Sequence, residues 1–146
     1  MTNASAGKVI YRTEATAHGG RAGRIETQDH HLSVNLSVPG QLGGEGGQGT
    51  NPEQLFAAGY AACFQSAIGA VARRDKVSFG DSEVTAEVGL ARDGIGYALS
   101  VELKIKLPGL SHEQAQHMVE EAHKVCPYSR AVKGNIDVKL TLVDAE

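Results

Sequence analysis

From Leu55 to Ala72 the chain carries no charged residue, and this run limits the fold more than any other feature. It just reaches the length needed to cross a bilayer. Its composition argues against that use: Ala and Gly dominate it, and Gln65 and Ser66 interrupt it, so its preference for lipid is weak. The expectation is a buried helix of a soluble domain. Asn51-Pro52-Glu53-Gln54 is a strong start signal for such a helix. An Asn side chain can accept from an otherwise unpaired first-turn N–H, Pro suits the first helical position, and an acidic residue favours the positive end of the helix dipole. The helix is expected to reach about Asp75. Apolar or small residues occupy nearly every side of it through Ala72, which marks a central element, and its many Ala and Gly residues would let a second helix come close.

The flanking sequence supplies strands and one more helix. Val9–Ala17, Arg24–Thr27 and Leu32–Val38 read as short strands, with His18-Gly19-Gly20 breaking the first. Residues 39–50 are glycine-dominated and lack a periodic apolar face, so a mobile loop is expected. The loop has neither a Gly-Lys-Ser/Thr ending nor a GxGxxG pattern after a strand, which argues against a phosphate-binding loop. Val84–Leu90 and Tyr97–Leu107 alternate around a turn at Asp93-Gly94. Ser111-His112-Glu113-Gln114 is a capping-box signature opening a helix to about Val125, with Pro127 just beyond its end. Ile136–Val143 closes the chain as a strand. Strands, helix, strands, helix and strand make an α+β fold with antiparallel sheet. The 146 residues suit a single domain over 1–146, with residues 1–7 as a flexible tail.

A net charge of −3, with Lys and Arg scattered along the chain, argues against a nucleic-acid surface. Met1–Gly7 lacks the apolar core of a secretory signal, so a cytoplasmic address is expected, where structural disulfides are rare. There are two cysteines. Cys63 lies inside the apolar helix and Cys126 at the end of the second helix, in Val125-Cys126-Pro127-Tyr128-Ser129. Taken alone, two free cysteines read as small buried hydrophobes as readily as redox groups. No CxxC or matching histidine spacing supports zinc, and no metal site is expected. The six histidines, among them His30, His31, His112, His117 and His123, are scattered, and each reads best as a solvated surface residue.

The run Gly49-Thr50-Asn51-Pro52-Glu53-Gln54-Leu55-Phe56-Ala57-Ala58-Gly59-Tyr60-Ala61-Ala62-Cys63-Phe64 resembles the signature of the organic hydroperoxide resistance (Ohr) family, a branch of the wider OsmC/Ohr group. Gly19-Gly20-Arg21 resembles the family's arginine loop, and Val125-Cys126-Pro127-Tyr128-Ser129 its second cysteine motif. The likeness runs over nearly the whole chain, in order, beginning at Lys8. It implies an intertwined homodimer, curved antiparallel sheets around two central helices, and two active sites at the subunit interface. It further implies a cysteine-based peroxidase that reduces organic hydroperoxides to alcohols. Cys63 would be the attacking thiol, Cys126 the resolving thiol, and Arg21 and Glu53 polar helpers. No bound cofactor is implied; the reductant would be a dithiol, dihydrolipoamide or a lipoylated protein, with neither nucleic acid nor membrane as a partner.

Elementary chemistry constrains these implied roles. The nucleophile must be a thiolate, yet burial in an apolar helix raises a thiol pKa. Cys63 lies twelve positions beyond Asn51, roughly 18 Å along the axis, too far for the dipole of its own helix to help. Arg21, on a glycine-flanked loop, is the candidate for the missing positive charge, with Glu53 orienting it. Glu53 and Cys63 are ten positions apart, about 15 Å along one helix, so a common site needs either Glu53 from a partner chain or a break in the helix with Gly59 as the weak point. Phe56, Tyr60, Phe64 and Tyr128 are candidate pocket walls favouring bulky apolar hydroperoxides over hydrogen peroxide, with plain core packing an equal alternative. The rival classes are a non-enzymatic thiol redox sensor or binding module, and a structural protein with inert cysteines.

Overall fold

Residues 7–143 are described in a computed structural model, which divides at Pro52 and Glu53 into two units. Apart from Gly7, the expected tail over residues 1–7 lies outside the described residues.

In the first unit, β1 (Ala15–His18), β2 (Arg24–Thr27) and β3 (Ser33–Asn35) form an antiparallel sheet in that order. The β1–β2 connection is a tight 3₁₀ turn, Gly20–Ala22, that carries Arg21. Gly19 (φ 80°) and Gly20 (φ 58°) take the left-handed conformation that glycine tolerates best. A Cβ on Gly23 would lie 1.7 Å from the His18 carbonyl oxygen, so only glycine fits where the loop closes. The strand expected over Val9–Ala17 is cut back to β1. Val9, Ile10 and Tyr11 lie outside it and are exposed. Alternation alone does not make a strand without a neighbour to pair with.

The glycine-rich segment differs from the mobile loop read in the sequence. The Gly46 N–H donates to the Val38 carbonyl at 2.8 Å, the Gly49 N–H to the Ser37 hydroxyl at 2.8 Å, and the Thr50 N–H to the Asn35 carbonyl at 2.9 Å. Leu36 and Thr50 form a parallel bridge. Backbone bonding folds this segment back along the exit of β3, something no side-chain pattern could announce.

The second unit contains α1 (Pro52–Asp75), β4 (Glu83–Arg92), β5 (Tyr97–Lys106), α2 (His112–Val125), α3 (Pro127–Val132) and β6 (Val138–Leu142). β4 and β5 form the expected antiparallel hairpin, with Arg92 opposite Tyr97 at its tip. β6 differs from the all-antiparallel expectation: it pairs parallel to β5, Val101 opposite Val138 through Ile105 opposite Leu142. The helices α2 and α3 lie between β5 and β6 in the chain and provide the crossover that a parallel pair requires. The α+β class stands.

Val101, Leu103 and Ile105 of β5 form the core with Tyr60, Phe64, Ile68 and Val71 of α1 and Met118, Val119 and Ala122 of α2. Each fully buried side chain of the Ile, Leu or Phe type contributes about 1.5–3 kcal/mol. The capping box at α2 is present: the Ser111 hydroxyl accepts from the Gln114 N–H, and the Gln114 side chain accepts from the Ser111 N–H. α1 is helical from Pro52 to Asp75 without interruption, but it is not buried all round. Ala58, Ala62, Ser66 and Ala70, four residues apart on the side opposite the core, are exposed. Only 28% of its most apolar stretch is buried within the chain.

Candidate active site at a cysteine pair

Two cysteines 63 positions apart in sequence meet in the second unit, their sulfurs 3.7 Å from one another and both free. Cys63 is brought there by α1, whose apolar face must pack on β5. Cys126 is brought by the junction of α2 and α3. Pro127 does end α2, as its ring requires, but it also opens the short helix α3, with Cys126 as its N-cap. The Cys126 N–H donates to the Ala122 carbonyl and its carbonyl accepts from the Arg130 N–H, both at 2.9 Å, so the residue belongs to both helices. Cys126 is fully buried, whereas Cys63 is partly exposed.

Burial pushes the Cys63 thiol above its usual pKa, and the neighbouring Cys126 thiol adds to that push. The backbone N–H of Tyr128 hydrogen-bonds to the Cys63 sulfur and acts in the opposite direction. This donor corrects the sequence-based account in one respect. The N-terminus of α1 is indeed distant, but the first turn of α3 supplies an N–H that favours a thiolate.

The four aromatic candidates form one cluster. Tyr60 and Tyr128 stack at a tilt with ring centres 5.5 Å apart, Phe56 meets Tyr60 edge-on at 5.9 Å, and Phe64 lies 6.5 Å from Tyr60. Tyr60 and Phe64 are fully buried and serve as core; Phe56 and Tyr128, their ring centres 5.9 Å apart, are only partly buried and keep accessible surface. Tyr128 lies against α1 where Gly59 has no side chain: a Cβ there would sit 2.5 Å from the Tyr128 hydroxyl. Gly59, read in the sequence as a possible weak point of the helix, is therefore a seat for Tyr128, one turn before Cys63.

A second arrangement went unread in the sequence. The Tyr60 and Ser129 hydroxyls are hydrogen-bonded at 2.7 Å, and Ser129 is bonded to Nδ1 of His123 at 2.8 Å. His123 is thus half-buried and bonded, not the solvated surface residue its scattered context suggested. Its position three residues before Cys126 was the available signal.

The structure brings Cys63, Cys126 and Tyr128 together, with Phe56, Tyr60 and Phe64 behind them. Glu53 stands at the start of α1, ten positions before Cys63 on the same unbroken helix. Arg21 belongs to the other unit, on the turn after β1. Among the described residues no cluster of three or more His, Cys, Asp or Glu side chains could hold a metal ion.

A sequence model of the family described as OsmC-like protein matches residues 44–141. An organic hydroperoxide resistance protein of Xanthomonas axonopodis pv. citri is 52% identical over 140 residues, covering 95% of this chain and 99% of that protein. The crystal structure of an organic hydroperoxide resistance protein from Legionella pneumophila superposes with a TM-score of 0.89 at 52% identity, covering 92% of this chain and 98% of that one. Another from Elizabethkingia anophelis gives 0.90 at 45% identity, covering 94% and 99%.

Proposed function

This chain belongs to the OsmC-like family, on its organic hydroperoxide resistance branch and with a role in organic hydroperoxide detoxification, and from that premise we propose that it is a cysteine-based peroxidase. The observation that supports the reading best is the pair of free sulfurs 3.7 Å apart, one partly exposed and the other buried. The Cys63 thiolate attacks one peroxide oxygen, the O–O bond breaks, and the alcohol leaves with a proton, giving a sulfenic acid at Cys63. Cys126 condenses with it to a disulfide, which keeps Cys63 from irreversible over-oxidation. A dithiol, dihydrolipoamide or a lipoylated protein, then reduces the disulfide by exchange. Arg21 stabilises the thiolate and Glu53 orients Arg21. Phe56 and Tyr128 offer apolar surface to the organic group of the hydroperoxide.

The working form is a homodimer in the cytoplasm. The exposed small-residue face of α1 would let a partner helix approach closely, and the exposed Val9, Ile10 and Tyr11 offer apolar surface for a second chain to cover.

Steady-state assays with an alkyl hydroperoxide or hydrogen peroxide, each reduced by dihydrolipoamide, thioredoxin or glutathione, test this reading. Turnover should be fastest with the alkyl hydroperoxide and dihydrolipoamide. Cys63→Ser should abolish it, because a serine hydroxyl is too weak an acid and nucleophile. Cys126→Ser should consume one equivalent of peroxide and stop at the sulfenic acid. If peroxide were consumed by Cys63→Ser and not by Cys126→Ser, the two roles would be reversed. An absence of turnover with any reductant would favour a redox sensor instead.

A further inference from the structure

The resolving cysteine raises a problem of proton traffic. Cys126 is fully buried, and its thiol must lose a proton when it joins Cys63 and regain one when the disulfide is reduced. An isolated thiolate there would be costly, and bulk water cannot reach the sulfur. We propose that Tyr60, Ser129 and His123 form a proton relay between the buried cysteine pair and solvent. The proposal rests on the peroxidase reading and deepens it.

The three side chains are placed for this task. Tyr60 precedes Cys63 by three residues on α1, while His123 precedes and Ser129 follows Cys126 by three on α2 and α3. Tyr60 is 0% exposed and Ser129 2%, with His123 reaching the half-exposed outer end. The two links measure 2.7 and 2.8 Å, short enough for a proton to pass along them. Tyr60 and Cys126 belong to one buried cluster, and Ser129, the partner of the Tyr60 hydroxyl, lies one turn beyond Cys126. Burial holds Tyr60 above its usual pKa, so the phenol keeps its proton and can only exchange it in a concerted hand-over. Burial holds His123 below the usual imidazole value, leaving a neutral ring whose Nδ1 can accept. Charged neighbours on α2 are otherwise engaged: Glu120 accepts from Gln116, and Lys124 pairs with Glu121. Arg130, the one charged residue of α3, is exposed.

The step balances. The Cys126 sulfur supplies the electron pair of the new S–S bond, and the S–O bond of the Cys63 sulfenic acid breaks. The Cys126 proton passes to the Tyr60 oxygen as the Tyr60 proton moves to Ser129 and the Ser129 proton to Nδ1 of His123. The departing hydroxide takes a proton from solvent and leaves as water, and His123 releases its proton at the outer edge. In reduction, a thiolate of the dithiol attacks the Cys63 sulfur, and Cys126 leaves with the S–S electron pair. It regains its proton by the reverse path.

Single-turnover kinetics separate the steps. Wild type and His123→Ala are mixed with one equivalent of an alkyl hydroperoxide, sulfenic acid is trapped with dimedone, and disulfide is quantified by mass after an acid quench. In His123→Ala, disulfide formation should fall about ten- to a hundredfold relative to peroxide cleavage. Added imidazole should restore it, and the wild-type step should be slower in deuterated water. An unchanged ratio, or a loss that imidazole does not repair, overturns the relay, because a purely structural defect would behave that way. A second arm forms the disulfide with diamide, which needs no peroxide, and follows its reduction by dithiothreitol. Equal reduction rates in the two proteins overturn the relay whatever the peroxide arm gives. If wild type forms no sulfenic acid while the diamide arm still shows the defect, the peroxidase reading fails and the relay stands.

Discussion

In the proposed reaction Cys63 acts as a nucleophile in surroundings that hold its proton on. Burial raises its pKa, the Cys126 thiol adds to the effect, and the Tyr128 N–H only partly offsets them. At neutral pH the thiol form is therefore favoured, so the peroxide-cleaving step should accelerate as pH rises towards the folded-state pKa. A positive charge brought to the sulfur would shift that rise to lower pH. Arg21→Ala should accordingly move the pH profile of thiol alkylation upward and lower peroxidase activity at neutral pH by roughly tenfold or more. Arg21→Lys should recover part of the loss, since lysine supplies the charge without the planar fork. An alkylation profile unchanged in Arg21→Ala would remove the electrostatic role.

Among the elements, α3 does most for the site relative to its length. It carries Cys126 at its cap, the Tyr128 N–H at Cys63, and Ser129 against Tyr60. The sequence showed only half of this. Pro127 was legible as the end of α2, but the same residue is equally at home at the first position of a helix, and six residues leave too little periodicity to reveal one. α1, α2 and the β4–β5 hairpin were legible because their caps and long apolar patterns are local. The parallel seat of β6 and the back-bonded glycine segment depend on backbone partners distant in sequence, which a local pattern does not carry. The meeting of Cys63 with Cys126 came from resemblance and not from spacing, and His123 escaped notice because a partly buried histidine leaves no periodic trace. Gly59 shows how a residue-level reading can invert at the level of the element: it accommodates Tyr128 and leaves the helix unbroken. Gly59→Ala should therefore destabilise the fold by about 1–3 kcal/mol through overpacking, and displace the Tyr128 N–H from Cys63. Removing the obstructing hydroxyl in Gly59→Ala/Tyr128→Phe should recover much of both losses, read by urea denaturation and by the pH dependence of Cys63 alkylation. A double variant no better than Gly59→Ala alone would show that the Tyr128 contact is not the cause.

At the scale of the whole molecule, the continuity of α1 sets a geometric condition on the site. Glu53 and Cys63 are ten positions apart on one uninterrupted helix, about 15 Å along its axis and roughly 80° apart around it. One arginine side chain cannot hold both residues of the same chain across that span. The break at Gly59 that would have shortened it is absent. If Arg21, Glu53 and Cys63 serve a common site, Cys63 must then be supplied by one subunit and Glu53 by its partner. Antiparallel pairing of two α1 helices that cross at the exposed Ala58 would set the start of one helix level with Cys63 of the other. Activity should consequently depend on the dimer itself. Glu53→Ala and Cys63→Ser homodimers should both be nearly inactive, whereas subunits mixed, unfolded and refolded together should regain activity. In each heterodimer one site combines intact Cys63 with intact Glu53, and the other carries both lesions. Random assortment makes about half of the dimers heterodimers, each with one working site of two, so about a quarter of wild-type activity is expected. Failure of the mixture to exceed its parents, with heterodimers demonstrated by mass, would place Glu53 and Cys63 of a single chain in each site.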